Sequence, residues 1–184
     1  MKKIIFLSFA LFLASCSFYQ PNTDKNLSDT LLAKTINFPK ELLQLKGHHF
    51  QDIDSFLQCI NGKYKIVSIV DGTCPACING QLNNIDSTFI KFNLHDKVQL
   101  VYILNVSSSD SAYFMRNFQS YIKATGAVLW DNNFNFEREN KLFTPDQSLR
   151  TFMVDKDNRI IIYGNPLMEP KLLAAYKEKI EQCH

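Results

Sequence analysis

After its first fifteen residues the chain has no stretch approaching the ~18 uninterrupted apolar residues of a membrane-spanning helix, so its body is expected to be soluble. The net charge is only +2 and no basic stripe appears, which argues against a nucleic-acid binder. There is no internal repeat and no low-complexity block. There is one Cys-x-x-Cys but no second one and no His-x-x-x-His, so the usual ligand set of a structural zinc site is missing. What remains is ordinary globular composition, 46% hydrophobic and 21% charged. That is enough to bury a core without metals or staples, in one domain.

The N-terminus reads differently. Lys2 and Lys3 precede an apolar run from Ile4 to Ala14, too short to span a bilayer, and the segment closes Leu13-Ala14-Ser15-Cys16. Basic start, apolar core and small residues before a cysteine together resemble the lipobox of bacterial lipoproteins. The resemblance implies a signal peptide over 1–15, an acylated Cys16, and a polar tether over 16–34 carrying Pro21 and Asn22. The other reading is a plain signal peptide that happens to hold a cysteine. Ser17 rather than Asp follows Cys16, which implies sorting to the periplasmic side of the outer membrane rather than retention at the inner membrane.

Along 35–184 the pattern alternates between strands and helices. Leu27–Thr35 has the makings of an early helix, and Thr35–Phe38 alternates as an edge strand stopped by Pro39. Asp52–Ile60 carries Ile53, Phe56, Leu57 and Ile60 at helical spacing. The apolar strand Lys65–Val70 follows, then Asp71-Gly72-Thr73-Cys74-Pro75-Ala76-Cys77, then a helix to about Phe92 marked by Ile78, Leu82, Ile85 and Phe89. Val98–Leu104 is a second buried strand. Ser107–Asp110 reads as a cap before a helix bearing Phe114, Phe118, Tyr121 and Ile122 and ending at Gly126. Ala127–Trp130 is a short strand, Thr151–Val154 and Arg159–Tyr163 form a hairpin, and Pro170 opens a last helix with Leu172, Leu173, Tyr176 and Ile180 along one side. Two successive β–α units require a parallel central pair, and the hairpin adds antiparallel strands. The expected class is α/β, a central mixed sheet flanked by helices.

The chemistry concentrates at Cys74 and Cys77. With Cys74 at a helix N-cap, Pro75 falls at N1, where its missing N–H had no partner. Cys77 then lies three residues on, on the same side and within disulfide reach. Unpaired N–H groups and the helix dipole favour a thiolate at Cys74. Cys74 would attack and Cys77 would resolve the mixed disulfide.

This strand–CPAC–helix junction, the β–α order and the Thr151-Phe-Met-Val-Asp155 strand resemble the thioredoxin-like superfamily, and within it the membrane-anchored periplasmic reductases of the TlpA/ResA type. The resemblance implies a thioredoxin-like fold and a thiol–disulfide oxidoreductase with no cofactor and no resident metal. It implies exported proteins with disulfides as clients and a membrane thiol-electron donor as partner. Such motifs span roughly −270 to −120 mV, so spacing alone leaves the potential open. The chain departs from the pattern at several points. Thr73 stands where an aromatic is usual, Pro75 precedes Ala76, and Ser68 replaces a buried acid six residues before Cys74. Asp71 reads as a turn residue. Leu149-Arg150 occupy the place of a cis-proline before Thr151, with Pro145 six residues upstream of that threonine. These departures keep open a second class, a thioredoxin-fold copper chaperone or binding scaffold with little turnover.

Of the other cysteines, Cys59 and Cys183 either form a structural disulfide, as an oxidising compartment permits, or stay apart, one buried in the Asp52–Ile60 helix and one at the C-terminus. His48-His49 reads as a solvated turn, and His95 as a helix-end cation. Asn132–Asn140 reads as a loop whose Phe134 and Phe136 cap the core, the alternative being part of a client surface. The Phe114/Phe118/Tyr121 stripe reads as core and Lys171–Lys179 as a solvated face.

Overall fold

The apolar runs of the sequence become the middle of one sheet. In the computed structural model, which describes residues 31–182, seven strands lie in the order β2-β1-β5-β4-β3-β6-β7. They are β1 Leu43–Lys46, β2 His49–Asp52, β3 Lys65–Asp71, β4 Gln99–Asn105, β5 Ala127–Asp131, β6 Thr151–Val154 and β7 Ile160–Tyr163. β3, β4 and β5 are parallel, and every other pairing is antiparallel. Val67 and Ile69 of β3 face one core cluster and Ile66 and Val70 the other. Burial on both faces is why this strand shows no polar alternation.

Helices cover both faces. On one lie α2 Pro75–Cys77, a π-helical segment Ile78–Asn83, α3 Asn84–Lys91, α4 Ser111–Asn117 and α6 Pro170–Gln182, contributing Ile78, Leu82, Ile85, Phe89, Phe114, Tyr176 and Ile180 to the core. On the other, α1 Asp54–Ile60 and α5 Asn135–Asn140 contribute Phe56, Ile60 and Phe136. Full burial of each such aromatic stabilises by about 2–3 kcal/mol. No helix among the described residues is long and apolar enough to cross a membrane.

Four features differ from the sequence reading. Thr35–Phe38 makes only a single bridge, Thr35 to Arg159, instead of an edge strand. The side-chain amide of Asn140 takes both backbone groups of Asn37: its Nδ2 donates to Asn37 O (2.7 Å) and its Oδ1 accepts from Asn37 N (2.8 Å). No ladder propagates past that clamp. The sheet instead gains an unforeseen hairpin, β1–β2, turned by Gly47 at φ +59° and His48, with His49 exposed as the first residue of β2. The helix expected to run to Gly126 ends at Asn117, and a 3₁₀ turn Gln119–Tyr121 leaves Tyr121 exposed. There the Asn83 side chain grips the chain, donating to Tyr121 O (2.7 Å) and accepting from Lys123 N (2.9 Å). Finally, the Asn132–Asn140 loop contains α5, with Phe136 in the core and Phe134 exposed at φ +55°. The expected Leu27–Thr35 helix lies mostly outside the described residues.

α3 is locked to the sheet by a buried carboxylate. Asp86 accepts from Thr125 N (2.9 Å), Gly126 N (2.9 Å), Thr125 Oγ1 (3.1 Å) and the Tyr102 hydroxyl (3.2 Å). Burial, with Asp86 beside it, pushes the Tyr102 hydroxyl far above its ordinary range, so it stays a donor. Gly126 lies so close to β4 that a Cβ there would meet Leu100 Cβ at 2.7 Å. Replacing Asp86 by Ala removes the acceptor of the buried Tyr102 hydroxyl and of two part-buried N–H groups. The expected cost is about 3 kcal/mol, read as a lower urea midpoint.

Candidate functional site

β3 ends in a turn built by its last residue. The Asp71 carboxylate accepts from Thr73 N (2.9 Å) and Thr73 Oγ1 (2.7 Å). Gly72 is required between them, because a Cβ there would collide with the Val106 side chain. This turn delivers Cys74 to the N-cap of α2 with Pro75 at N1, as the spacing predicts. The Cys77 N–H donates to Cys74 Sγ at 3.2 Å. The two cysteines are joined as a disulfide with Cα atoms 5.2 Å apart. Cys74 is half-buried and Cys77 is 92% buried, being 8% exposed, so an incoming group reaches Cys74 first. The π-helical segment begins at Ile78, immediately beyond the pair.

Behind the cysteines the site is neutral. Ser68, where an acid is usual in the family the sequence resembles, donates to Gln81 O of the π segment (3.0 Å). Its oxygen lies 2.9 Å from Thr151 Oγ1, and all of this is buried. Beside the cysteines sits a 3₁₀ turn, Gln147–Leu149. Asp146 caps it by accepting from Ser148 N (2.8 Å). Arg150 closes it: its N–H donates to Gln147 O (3.2 Å) and its C=O accepts from Ile69 N (2.9 Å). The place before Thr151 is therefore occupied by a residue whose backbone donor and acceptor are both used within the chain. Pro145 is exposed, and no described peptide bond is cis. From the turn, Gln147 Nε2 reaches Cys77 Sγ at 3.7 Å.

Arg150 turns its side chain inward, Nη2 lying 3.5 Å from Glu137 Oε1, while Asn105 Nδ2 donates to Glu137 Oε2. Asp131, at the end of β5, caps α5 by accepting from Asn135 N (2.9 Å) and Phe136 N (2.8 Å). Asn105, Asp131 and Cys74 thus all lie at the C-terminal ends of the parallel strands. Burial pushes the Glu137 carboxyl above its ordinary 4.5. Arg150 and Asn105 pull it down, and Asp131 adds to the rise.

The structure brings Cys74 and Cys77 together. Cys59 is exposed on α1 rather than buried, because Phe56 and Ile60 take the inward positions of that helix. Cys16 and Cys183 lie outside the described residues. His95 pairs with Asp96 (3.3 Å) beyond the end of α3 and borders a cavity of about 350 Å³ with Lys63, Lys97 and Lys156, none of it adjoining the cysteines. Among the described residues no three His, Cys, Asp or Glu side chains converge where they would hold a metal. Sequence reading did not single out Gln147, Glu137 or Asn105. Only the place of Arg150 before Thr151 pointed toward the turn.

No protein-family model matches the chain, and no curated protein matches it in sequence. Solved structures do. A thioredoxin-like protein from Porphyromonas gingivalis aligns at 18% identity with TM-score 0.54, covering 82% of this chain and 93% of that one. A proposed thiol:disulfide interchange protein, DsbE, from Chlorobium tepidum aligns at 14% identity with TM-score 0.52, covering 83% and 99%. A proposed thiol-disulfide oxidoreductase from Bacteroides vulgatus aligns at 15% identity with TM-score 0.50, covering 79% and 91%. The chain has the thioredoxin-like fold.

Glu137 makes stability pH-dependent. Its carboxyl is raised in the folded protein, so its contribution is fully present below the ordinary value of 4.5 and is lost as pH rises through the folded value. A Glu137→Gln variant lacks that loss. Its urea midpoint relative to the parent should climb as pH rises above about 4.5, and parallel pH profiles would contradict the assignment.

Proposed function

We propose that the chain is a thiol–disulfide oxidoreductase, anchored through lipidated Cys16 on the periplasmic side of the outer membrane, that reduces disulfides of exported proteins. The observation that carries the proposal is the asymmetry of the pair: an accessible Cys74 at a helix N-cap, and a buried Cys77 whose N–H points at the Cys74 sulfur. The descriptions of two of the similar structures as thiol–disulfide proteins support it.

In the reduced state the Cys74 thiolate attacks one sulfur of a client disulfide. The client S–S bond breaks, one client sulfur leaves as a thiolate, and Cys74 holds the other as a mixed disulfide. Cys77, deprotonated, then attacks Cys74 Sγ. The mixed disulfide breaks, the Cys74–Cys77 bond forms, and the second client sulfur leaves. Two electrons have passed to the client, and a membrane thiol donor restores the pair. Reduction is the proposed direction because the tether is of the TlpA/ResA type.

The full chain, purified in detergent and titrated in glutathione buffers, should show a reversible Cys74–Cys77 couple. A Cys77→Ser variant should accumulate client mixed disulfides, and Cys74→Ser should abolish exchange. Absence of a reversible couple, or copper or zinc retained stoichiometrically through purification, would overturn the reading in favour of a metal-binding module. The anchor is tested separately: Cys16→Ala should stop palmitate incorporation and move the protein from the membrane fraction to the soluble one.

A further inference from the structure

We propose that Gln147 is a catalytic residue of the exchange reaction, its side-chain amide stabilising the Cys77 thiolate both when Cys77 attacks and when it leaves. This deepens the reading of Cys74–Cys77 as an exchange couple and rests on it.

Three observations lead there. The Gln147 amide is the polar side-chain group that reaches Cys77 Sγ, at 3.7 Å, within hydrogen-bonding range of a sulfur. The turn that presents it is pinned at successive backbone groups. Ser148 N is held by Asp146, Ser148 O by Asn165 N (2.7 Å), and Arg150 N by Gln147 O, while Arg150 O accepts from Ile69 N on β3, the strand that leads into the cysteines. The backbone that carries the donor is thus placed by the sheet itself. Third, the space behind Cys77 offers no charge: Ser68 and Thr151 pair as hydroxyls, and the π segment carries no ionisable side chain. The charged groups on the surrounding elements are Asp71, Asp146, Arg150 and Glu137. Asp71 is engaged by Thr73, Asp146 by Ser148, and Glu137 by Arg150.

A buried thiolate without a donor is costly, and a hydrogen bond to the charged form lowers that cost. In resolution, Cys77 Sγ forms a bond to Cys74 Sγ as the client thiolate departs, and the proton Cys77 gave up goes to solvent. In re-reduction the donor thiolate attacks Cys74 Sγ, and Cys77 leaves with the electron pair of the old S–S bond. Gln147 faces the same sulfur in both directions. It thus supplies a neutral dipole at a sulfur behind which Ser68 provides no acid.

The test uses the full chain in detergent. In a Cys74→Ser background, the pH dependence of Cys77 alkylation by iodoacetamide is followed by peptide mass spectrometry. Gln147→Ala should move the alkylation midpoint to higher pH by about one unit, a tenfold loss of thiolate below the midpoint. Gln147→Glu, nearly the same shape, should move it further up, and Gln147→Arg should move it below the parent. With Cys74 restored, the Ala variant should resolve a glutathione mixed disulfide roughly threefold more slowly at neutral pH, because greater nucleophilicity offsets part of the lost thiolate. Midpoints unmoved in both the Ala and Glu variants, at unchanged urea midpoints, would overturn the proposal, and so would an order that ignores the charge at residue 147. A parent chain with no reversible glutathione couple would defeat the exchange reading, whereas the order of midpoints judges Gln147 by itself.

Discussion

The carboxylate of Asp71 is the point on which the site hangs. β3 is buried on both faces and runs in register with β4 along its whole length, so its end is fixed to within a residue. Asp71 is the last residue of that ladder, and its side chain folds the next two residues back before the helix begins. With Pro75 prepared for a first helical turn, the only residue left to cap it is Cys74. The position of both sulfurs follows from a rigid strand, a side-chain-made turn and a helix start, without help from the rest of the surface.

Much of this was legible in the sequence because it depends on local chemistry. An apolar run, an Asp-Gly turn and a proline between cysteines specify their neighbours directly. What could not be read depends on distant partners. The β1–β2 hairpin breaks the usual alternation, since Gln44 is buried while Phe50 is exposed against Trp130. α5 has only six residues and starts on a left-handed Phe134, and its cap comes from Asp131, well before its first residue. Nothing at Asn37 announces that Asn140, a hundred residues later, will use up its backbone. Gln147 shows the same limit. A glutamine in a polar loop carries no signal until the sheet has set that loop against Cys77.

The polar groups around the cysteines are divided by depth. Close behind the pair there are hydroxyls and amides, which hold their hydrogen bonds at any pH. The ionisable groups sit one layer away, in Glu137 and Arg150, paired with each other and tied through Glu137 to Asn105 at the end of β4. The arrangement braces the 3₁₀ turn from below without placing a carboxylate against the sulfur of Cys77. The turn's backbone is closed at Arg150, so contact with another chain at this place falls to side chains: Thr73, Gln147 and the accessible sulfur of Cys74.

The strap formed by residues 33–37 also has a mechanical meaning. It crosses the outer edge of β7 through Ala33 N to Ile160 O, Ile160 N to Lys34 O and Ile36 N to Asn158 O, each 2.8 Å, and then enters the two-pronged grip of Asn140 on Asn37. Tension arriving from the N-terminal side meets these bonds one after another, the grip last. Asn140 belongs to α5, which Asp131 fastens to the end of β5, so the load is passed to the centre of the sheet. The loop that carries Gln147 begins beyond α5, and the grip shields it from that load. For a load applied on the N-terminal side of residue 33, the strain relief of this body lies at residue 140.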